Sequence, residues 1–433
     1  MVIMQLFPVL IRSELIMRRG LGYLNYRKRK VTTMQQAVTL LPSSDMGLPE
    51  EDWGSKKRIL LLSERFGAGH TQAAHALAVS LRKLSPHVQT RVIELGSFLN
   101  PKMAPLIIHA YRRTVTVQPK LVGFMYKTQY HRSLNRLTTL ALHRVFYTHA
   151  MAVMKQLKPD MIVCTHPIPS AVVSRLRKHG LTAPLYTLIT DYDAHAAWVS
   201  PAVSKYLVST PEVKDKLMNH GVRAERIHVT GIPVHPKFWE THDRDTKAAI
   251  RDKFGLKEMP TVLVMGGGWG LMDPNDVNEL LTRWRGDVQF VFCIGSNEKL
   301  RNRLLRNPRF RHENVHLIGY TNEIDQLMDV SDLLVTKPGG MTCTEALAKG
   351  IPMLFYSPLP GQEEENCHYF TAKGYGEPIE SSHTVTKWMN LLVRHYEEVI
   401  QRRRLYEQNA AQYNPKACAE TILTSFFDKY EPK

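Results

Sequence analysis

Leu333-Leu334-Val335-Thr336-Lys337-Pro338-Gly339-Gly340-Met341-Thr342-Cys343-Thr344-Glu345-Ala346-Leu347 reads as a buried strand, a tight turn and the start of a helix. The apolar run does not alternate with polar residues, which is the pattern of a strand covered on both faces. Gly339 and Gly340 allow close backbone approach, and a helix opening there presents unpaired N–H groups to an anion. Thr342 and that helix start can hold a diphosphate. Glu345 lies about one turn in, where its carboxylate can accept two ribose hydroxyls or cap the helix.

The same grammar recurs on both sides. Val262-Leu263-Val264-Met265 runs into Gly266-Gly267-Gly268-Trp269-Gly270, a second candidate phosphate loop that lacks the lysine of a P-loop. Further strands are predicted at 290–294, 315–318 and 353–355. After the last comes Pro360-Gly361-Gln362-Glu363-Glu364-Glu365-Asn366, whose amides and carboxylates suit sugar hydroxyls or start a solvated helix. Nearer the N-terminus, strands are predicted at 59–62, 90–94, 161–164, 185–190, 205–208 and 227–229, with helical segments between. Two successive β/α series predict an α/β protein of two doubly wound, Rossmann-like domains facing across a cleft. The boundaries read as a basic extension over 1–55, one domain over 56–231 and a second over 232–433, with C-terminal helices packing back towards the first.

The first domain carries two candidate chemical loops. Phe66-Gly67-Ala68-Gly69-His70 follows the first strand, at the sheet edge where open α/β proteins bind ligands. A histidine there can accept a proton from a hydroxyl near neutrality or simply cap the turn. Thr190-Asp191-Tyr192-Asp193-Ala194-His195-Ala196-Ala197-Trp198 follows another strand. Asp191 and His195 would share a face if that segment were helical. Asp191-x-Asp193 resembles a metal-binding pair, but the companion ligands are missing, so no metal is expected.

Charge is unevenly spread. The 433 residues carry a net +17. From Leu95 through Pro159 there is no Asp or Glu but ten Lys and Arg, including Arg112, Arg113, Lys120, Lys127 and Arg132. Residues 1–44 add seven cations against Glu14, so these two regions hold +16 of the +17. Such a field implies an anionic partner. Interleaved Tyr, Phe and Met also suit single-stranded nucleic acid, but no nucleic-acid-binding signature accompanies them, so anionic membrane lipid is the expected partner and nucleic acid is not. No apolar run reaches the ~20 residues that span a bilayer, and the apolar start lacks the layout of a secretory signal. The five scattered cysteines contain no C-x-x-C pair and imply a reducing compartment.

At these motifs the chain resembles the monogalactosyldiacylglycerol synthase and processive diacylglycerol glucosyltransferase family, relatives of the muramyl N-acetylglucosaminyltransferase. The resemblance rests on Phe66–His70, Thr190–Tyr192 with His195 and Trp198, Thr230–Val234, Thr336–Gly340, Thr344–Ala346 and Pro360–Glu363 with Asn366, in order. It implies a GT-B fold, with a UDP-sugar (UDP-glucose or UDP-galactose) in the second domain and diacylglycerol or a glycosyl-diacylglycerol in the first. It further implies inversion at the anomeric carbon without cofactor or metal, by a peripheral enzyme on the cytoplasmic face of the cell membrane. His70 or Asp191 would be the base or orient the acceptor. Gly266, Gly267, Gly268, Pro338, Gly339, Gly340, Thr342 and Glu345 would bind the nucleotide, and Gln362, Glu363 and Asn366 would lie near the sugar. Gly69, His195 and Trp198, with the basic stretch, would serve the acceptor and membrane. Trp269 departs from the expected glycine loop. Competing expectations are a UDP-amino-sugar epimerase of the same architecture, a transferase acting on a polyprenyl-linked cell-wall precursor, and a catalytically silent membrane-binding protein.

Overall fold

The computed structural model describes residues 56–117, 147, 149–266, 277–410 and 413–427. The extension over 1–55, Lys120, Lys127, Arg132, Gly267 and Gly268 lie outside the described residues.

Two six-stranded parallel sheets form the frame. The first contains β1 (Lys57–Ser63), β2 (Val88–Glu94), β3 (Met161–Cys164), β4 (Leu185–Leu188), β5 (Val203–Val208) and β6 (Ile227–Val229), in the order β2-β1-β3-β4-β5-β6. The second contains β7 (Thr261–Met265), β8 (Gln289–Gly295), β9 (Val315–Gly319), β10 (Leu333–Thr336), β11 (Met353–Phe355) and β12 (Gly376–Pro378), in the order β12-β11-β10-β7-β8-β9.

Strand alternation feeds opposite faces of each sheet. In β1, Ile59 and Leu61 enter one core while Leu60 and Leu62 enter another. The first of these cores does not stop at its own sheet. It contains Ala73, Leu77 and Leu81 of the Ala68–Leu84 helix, Leu263 and Leu334 of the second sheet, and Cys418 and Ile422 of the C-terminal Ala417–Leu423 helix. The chain end thus returns to the first domain, where Tyr186 Oη donates to Ser425 Oγ at 2.7 Å.

In each sheet the chain reverses direction between two neighbouring strands, β1/β3 in the first and β7/β10 in the second. At such a point the loops leave in opposite directions and open a crevice at the carboxyl edge. The Phe66–His70 loop follows β1 and the Thr336–Gly340 turn follows β10, so both motifs flank these crevices.

Three local expectations are corrected. The helix after β1 starts at Ala68, so Gly69 and His70 lie in its first turn and not in the loop expected over 66–70. Residues 191–195 are not helical, and only Ala196–Trp198 form a short 3-10 turn. Asp191 and His195 therefore do not share a helix face. β12 was not expected at all.

Candidate active site

The Thr190–Asp193 segment leaves β4 and enters the interface between the sheets. Gly340 opens its helix directly against it. A Cβ on Gly340 would collide with the Thr190 carbonyl oxygen and come within 3.2 Å of Asp191 Cα and Oδ1. Beside it, a Cβ on Gly69 would lie 3.2 Å from Met341 Cγ. Gly340 is thus needed for close backbone approach between the domains, a packing demand distinct from phosphate binding, whereas Gly69 meets only a side chain.

The Gln362–Ala372 helix supplies the second contact. Gly361, at φ +106°, makes the turn into it. Gln362 Nε2 donates to Asp191 Oδ2 at 3.0 Å. Asn366, with no exposed surface, donates through Nδ2 to Asp191 Oδ1 at 3.2 Å and to the Pro338 carbonyl at 3.0 Å. Its Oδ1 accepts from the Tyr192 N–H at 2.8 Å. Tyr192 stacks on Tyr369 and shares a 2.9 Å hydrogen bond with Thr344 Oγ1. Lys216 pairs with Asp193 at 2.5 Å and with Glu365 across the interface at 3.2 Å.

Burial sets the protonation states here. Desolvation pushes Asp191 up to about 7, against the opposing hydrogen bond from Asn366. Asp193, fully buried and paired with Lys216, contributes a like charge to the same rise. Half-buried Glu345 is raised to about 8 by desolvation, opposed by nearby Lys237. Glu363 is raised by burial while its Oε2 accepts the Leu359 N–H at 2.7 Å.

His70 stands at the mouth of the first crevice. Its Nδ1 lies 2.6 Å from Thr190 Oγ1, and its ring meets His166, on the loop after β3, edge-on at 4.7 Å between centroids. Desolvation lowers its pKa to about 4, with the Thr165 carbonyl opposing, so the ring is neutral near pH 7.

Some expected residues lie elsewhere. Trp198 is fully buried and His195 is 4% exposed, so neither presents a membrane-facing side chain. They form an aromatic wall behind His70, with Trp198 at 6.1 Å. Gly266 is buried at the end of β7, and Tyr356 Oη donates to the neighbouring Met265 carbonyl at 3.0 Å. Thr342 is half-buried on the helix that Gly340 opens. Gly231, in the Thr230–Val234 motif, adopts φ +72° against the Tyr413 ring. Arg113 is exposed on the Met103–Val117 helix, which also contains Arg112. Among the described residues no group of three or more His, Cys, Asp or Glu could hold a metal, and Asp191 and Asp193 are engaged as above. Sequence reasoning missed Lys216, Thr344 and the Thr190 hydroxyl. Thr190 and Thr344 carried a signal, their places in quoted motifs, and Lys216 carried none.

Residues 70–234 match the family described as monogalactosyldiacylglycerol (MGDG) synthase, and residues 261–422 match the glycosyltransferase family 28 C-terminal domain. The processive diacylglycerol beta-glucosyltransferase of Staphylococcus carnosus is 34% identical over 335 residues, covering 75% of this chain and 82% of that protein. In fold, the chain is similar to Anabaena HepE in complex with UDP-glucose (TM-score 0.55, 12% identity, 86% of this chain and 100% of the other). It is equally similar to Acinetobacter baumannii MurG (TM-score 0.55, 14% identity, 86% and 100%). The facing parallel sheets are those of the GT-B fold, and the chain belongs to the family of monogalactosyldiacylglycerol synthases and processive diacylglycerol glucosyltransferases, as a glycolipid hexosyltransferase.

Proposed function

We propose that this chain moves a hexose from a UDP-sugar to diacylglycerol, or to a glycosyl-diacylglycerol, at a membrane surface and with inversion. The observation that carries the reading is the meeting of His70, Thr190 and Asp191 from one crevice with Gly340, Gln362 and Asn366 from the other. Two substrates bound in separate crevices would have their reacting atoms brought together there.

The diphosphate would sit at the β7/β10 reversal, on the N–H groups of the Gly340–Ala348 helix start, with Glu345 on the ribose. Gln362 and Asn366 offer amides to the sugar. His70 is the better base. Its ring is neutral and partly exposed, whereas both Asp191 carboxylate oxygens accept amide hydrogens. The acceptor hydroxyl loses its proton to His70 as its oxygen bonds the anomeric carbon, and UDP leaves with the electron pair of the broken C–O bond. Helix N–H groups stabilise the developing diphosphate charge, so the residues described call for no cofactor and no metal. The named relative favours glucose over galactose.

The Met103–Val117 helix supports membrane docking. It buries Ala104, Ile107 and Ile108 and exposes Leu106 (64%), His109 and Arg113. An apolar side chain and a cation on one exposed surface, in a segment free of acids, suit the headgroup region of anionic lipid. Among the described residues no helix is long and apolar enough to cross a membrane. Docking at the cytoplasmic leaflet is the corresponding proposal.

A donor screen with UDP-glucose and UDP-galactose, with and without diacylglycerol in mixed micelles and products resolved by mass, tests the reading. The expected product is hexosyl-diacylglycerol. Conversion of a UDP-sugar without acceptor would establish epimerase chemistry instead.

A further inference from the structure

We propose that Thr190 is the positioning residue for His70, its side-chain oxygen accepting the Nδ1 proton so that Nε2 faces the acceptor hydroxyl. The inference rests on the reading of His70 as base. A histidine acting as base must present one nitrogen with a free lone pair to the substrate. Nδ1 is engaged by Thr190 Oγ1 at 2.6 Å, so a His70 that takes the proton at Nε2 carries its resting proton on Nδ1. The hydroxyl can take that role because it both donates and accepts.

The surroundings hold this pair in one geometry. Thr190 is 3% exposed at the end of β4, and its backbone carbonyl is the atom on which Gly340 seats. The ring lies against His166, edge-on at 4.7 Å between centroids, and near Trp198 at 6.1 Å. As Nε2 takes the acceptor proton, the ring becomes cationic and Nδ1–H···Oγ1 becomes a charge-assisted bond, stronger in the transition state than in the ground state. Because Gly340 belongs to the donor domain, closure on the donor also presses on the residue that aims the base.

The test is a double-mutant cycle with UDP-glucose and diacylglycerol in mixed micelles, measuring kcat, donor KM and the pH profile of kcat. Thr190→Val is expected to lower kcat by roughly tenfold or more, the size of a hydrogen bond to a charged group, with donor KM within about twofold. Thr190→Ser should restore most of the loss. On a His70→Ala background Thr190→Val should cost nothing further. Unchanged kcat and pH profile in Thr190→Val, while His70→Ala is impaired, would overturn the inference alone. The same outcome follows if the valine loss is undiminished on the alanine background. Full kcat in His70→Ala would remove the base reading and this inference together. If Thr190→Val does not fold, Thr190→Ala completes the same cycle.

Discussion

Asn366 Nδ2 donates to Asp191 Oδ1 at 3.2 Å across the domain interface, joining residues 175 positions apart. The same side chain also serves the Pro338 carbonyl and the Tyr192 N–H, so one amide ties the β4 loop to the β10 turn. Asn366→Ala leaves these groups buried without that partner. Each orphaned buried group costs about 1–3 kcal/mol. The variant is expected to show faster hydrogen exchange at Tyr192 and a lower thermal midpoint, with kcat falling more than donor KM rises. Unchanged exchange at Tyr192 would show that the amide does not hold the interface.

Gly340 tests close approach separately from hydrogen bonding. An added methyl must displace the Thr190 carbonyl or move the domains apart, because the collision is with backbone. Neither sheet contains Gly340, so Gly340→Ala should leave each sheet intact. A displacement near 1 Å between reacting groups costs roughly 100-fold in rate. The expected result is a kcat loss of that order with circular dichroism unchanged. Wild-type kcat would mean that the interface opens during turnover by more than a methyl group requires.

The parts of this site differ in how they could be read from sequence. β3, β7, β10 and β11 coincide with their apolar runs because parallel strands covered on both faces show no alternation. β12 escaped because Gly376-Glu377-Pro378 has no β-forming or apolar signature, and pairing with β11 alone makes it a strand. The Asp191–His195 spacing suggested a helix face, yet tertiary hydrogen bonds from Asn366 and Ser209 hold the segment in another shape. Lys216 could not be found, since its cross-domain partner Glu365 is 149 positions away and lysines on helices are ordinarily solvated. Glycines were legible as glycines, but Gly340 is demanded by domain contact, which no local pattern encodes.

Glu64 gives a prediction in pH. It is 2% exposed at the end of β1, where its Oε1 accepts from the Gly96 N–H and from Tyr147 Oη, both at 2.8 Å. Desolvation, helped by nearby Glu94 and opposed by those hydrogen bonds, raises its pKa to about 8. A carboxyl raised above its unfolded value binds more protons folded than unfolded between the two values. Its stabilising contribution is therefore complete below the unfolded pKa, near 4.3, and declines as pH rises towards about 8. Glu64→Gln removes this dependence while keeping shape. Wild type should lose stability relative to Glu64→Gln from pH 5 to pH 8, by a few kcal/mol at most, read from paired urea titrations. Parallel stability curves across that range would show that Glu64 ionises normally.

Leu106 and Arg113 separate the two forces proposed to bring the enzyme to lipid. Both side chains are exposed on the Met103–Val117 helix, one apolar and one cationic. Burying Leu106 among acyl chains would not depend on lipid charge, so Leu106→Ser should weaken binding to neutral and anionic vesicles alike. Arg113 acts through the surface potential, which decays within a Debye length of about 10 Å at 0.1 M salt. Arg113→Ser should weaken binding to anionic vesicles roughly fivefold at low salt, and the difference should vanish as salt rises. Vesicle sedimentation over a salt series reads both. If the two variants respond identically to lipid charge and salt, this helix does not meet the bilayer in the manner proposed, and the acid-free stretch must reach it through other residues.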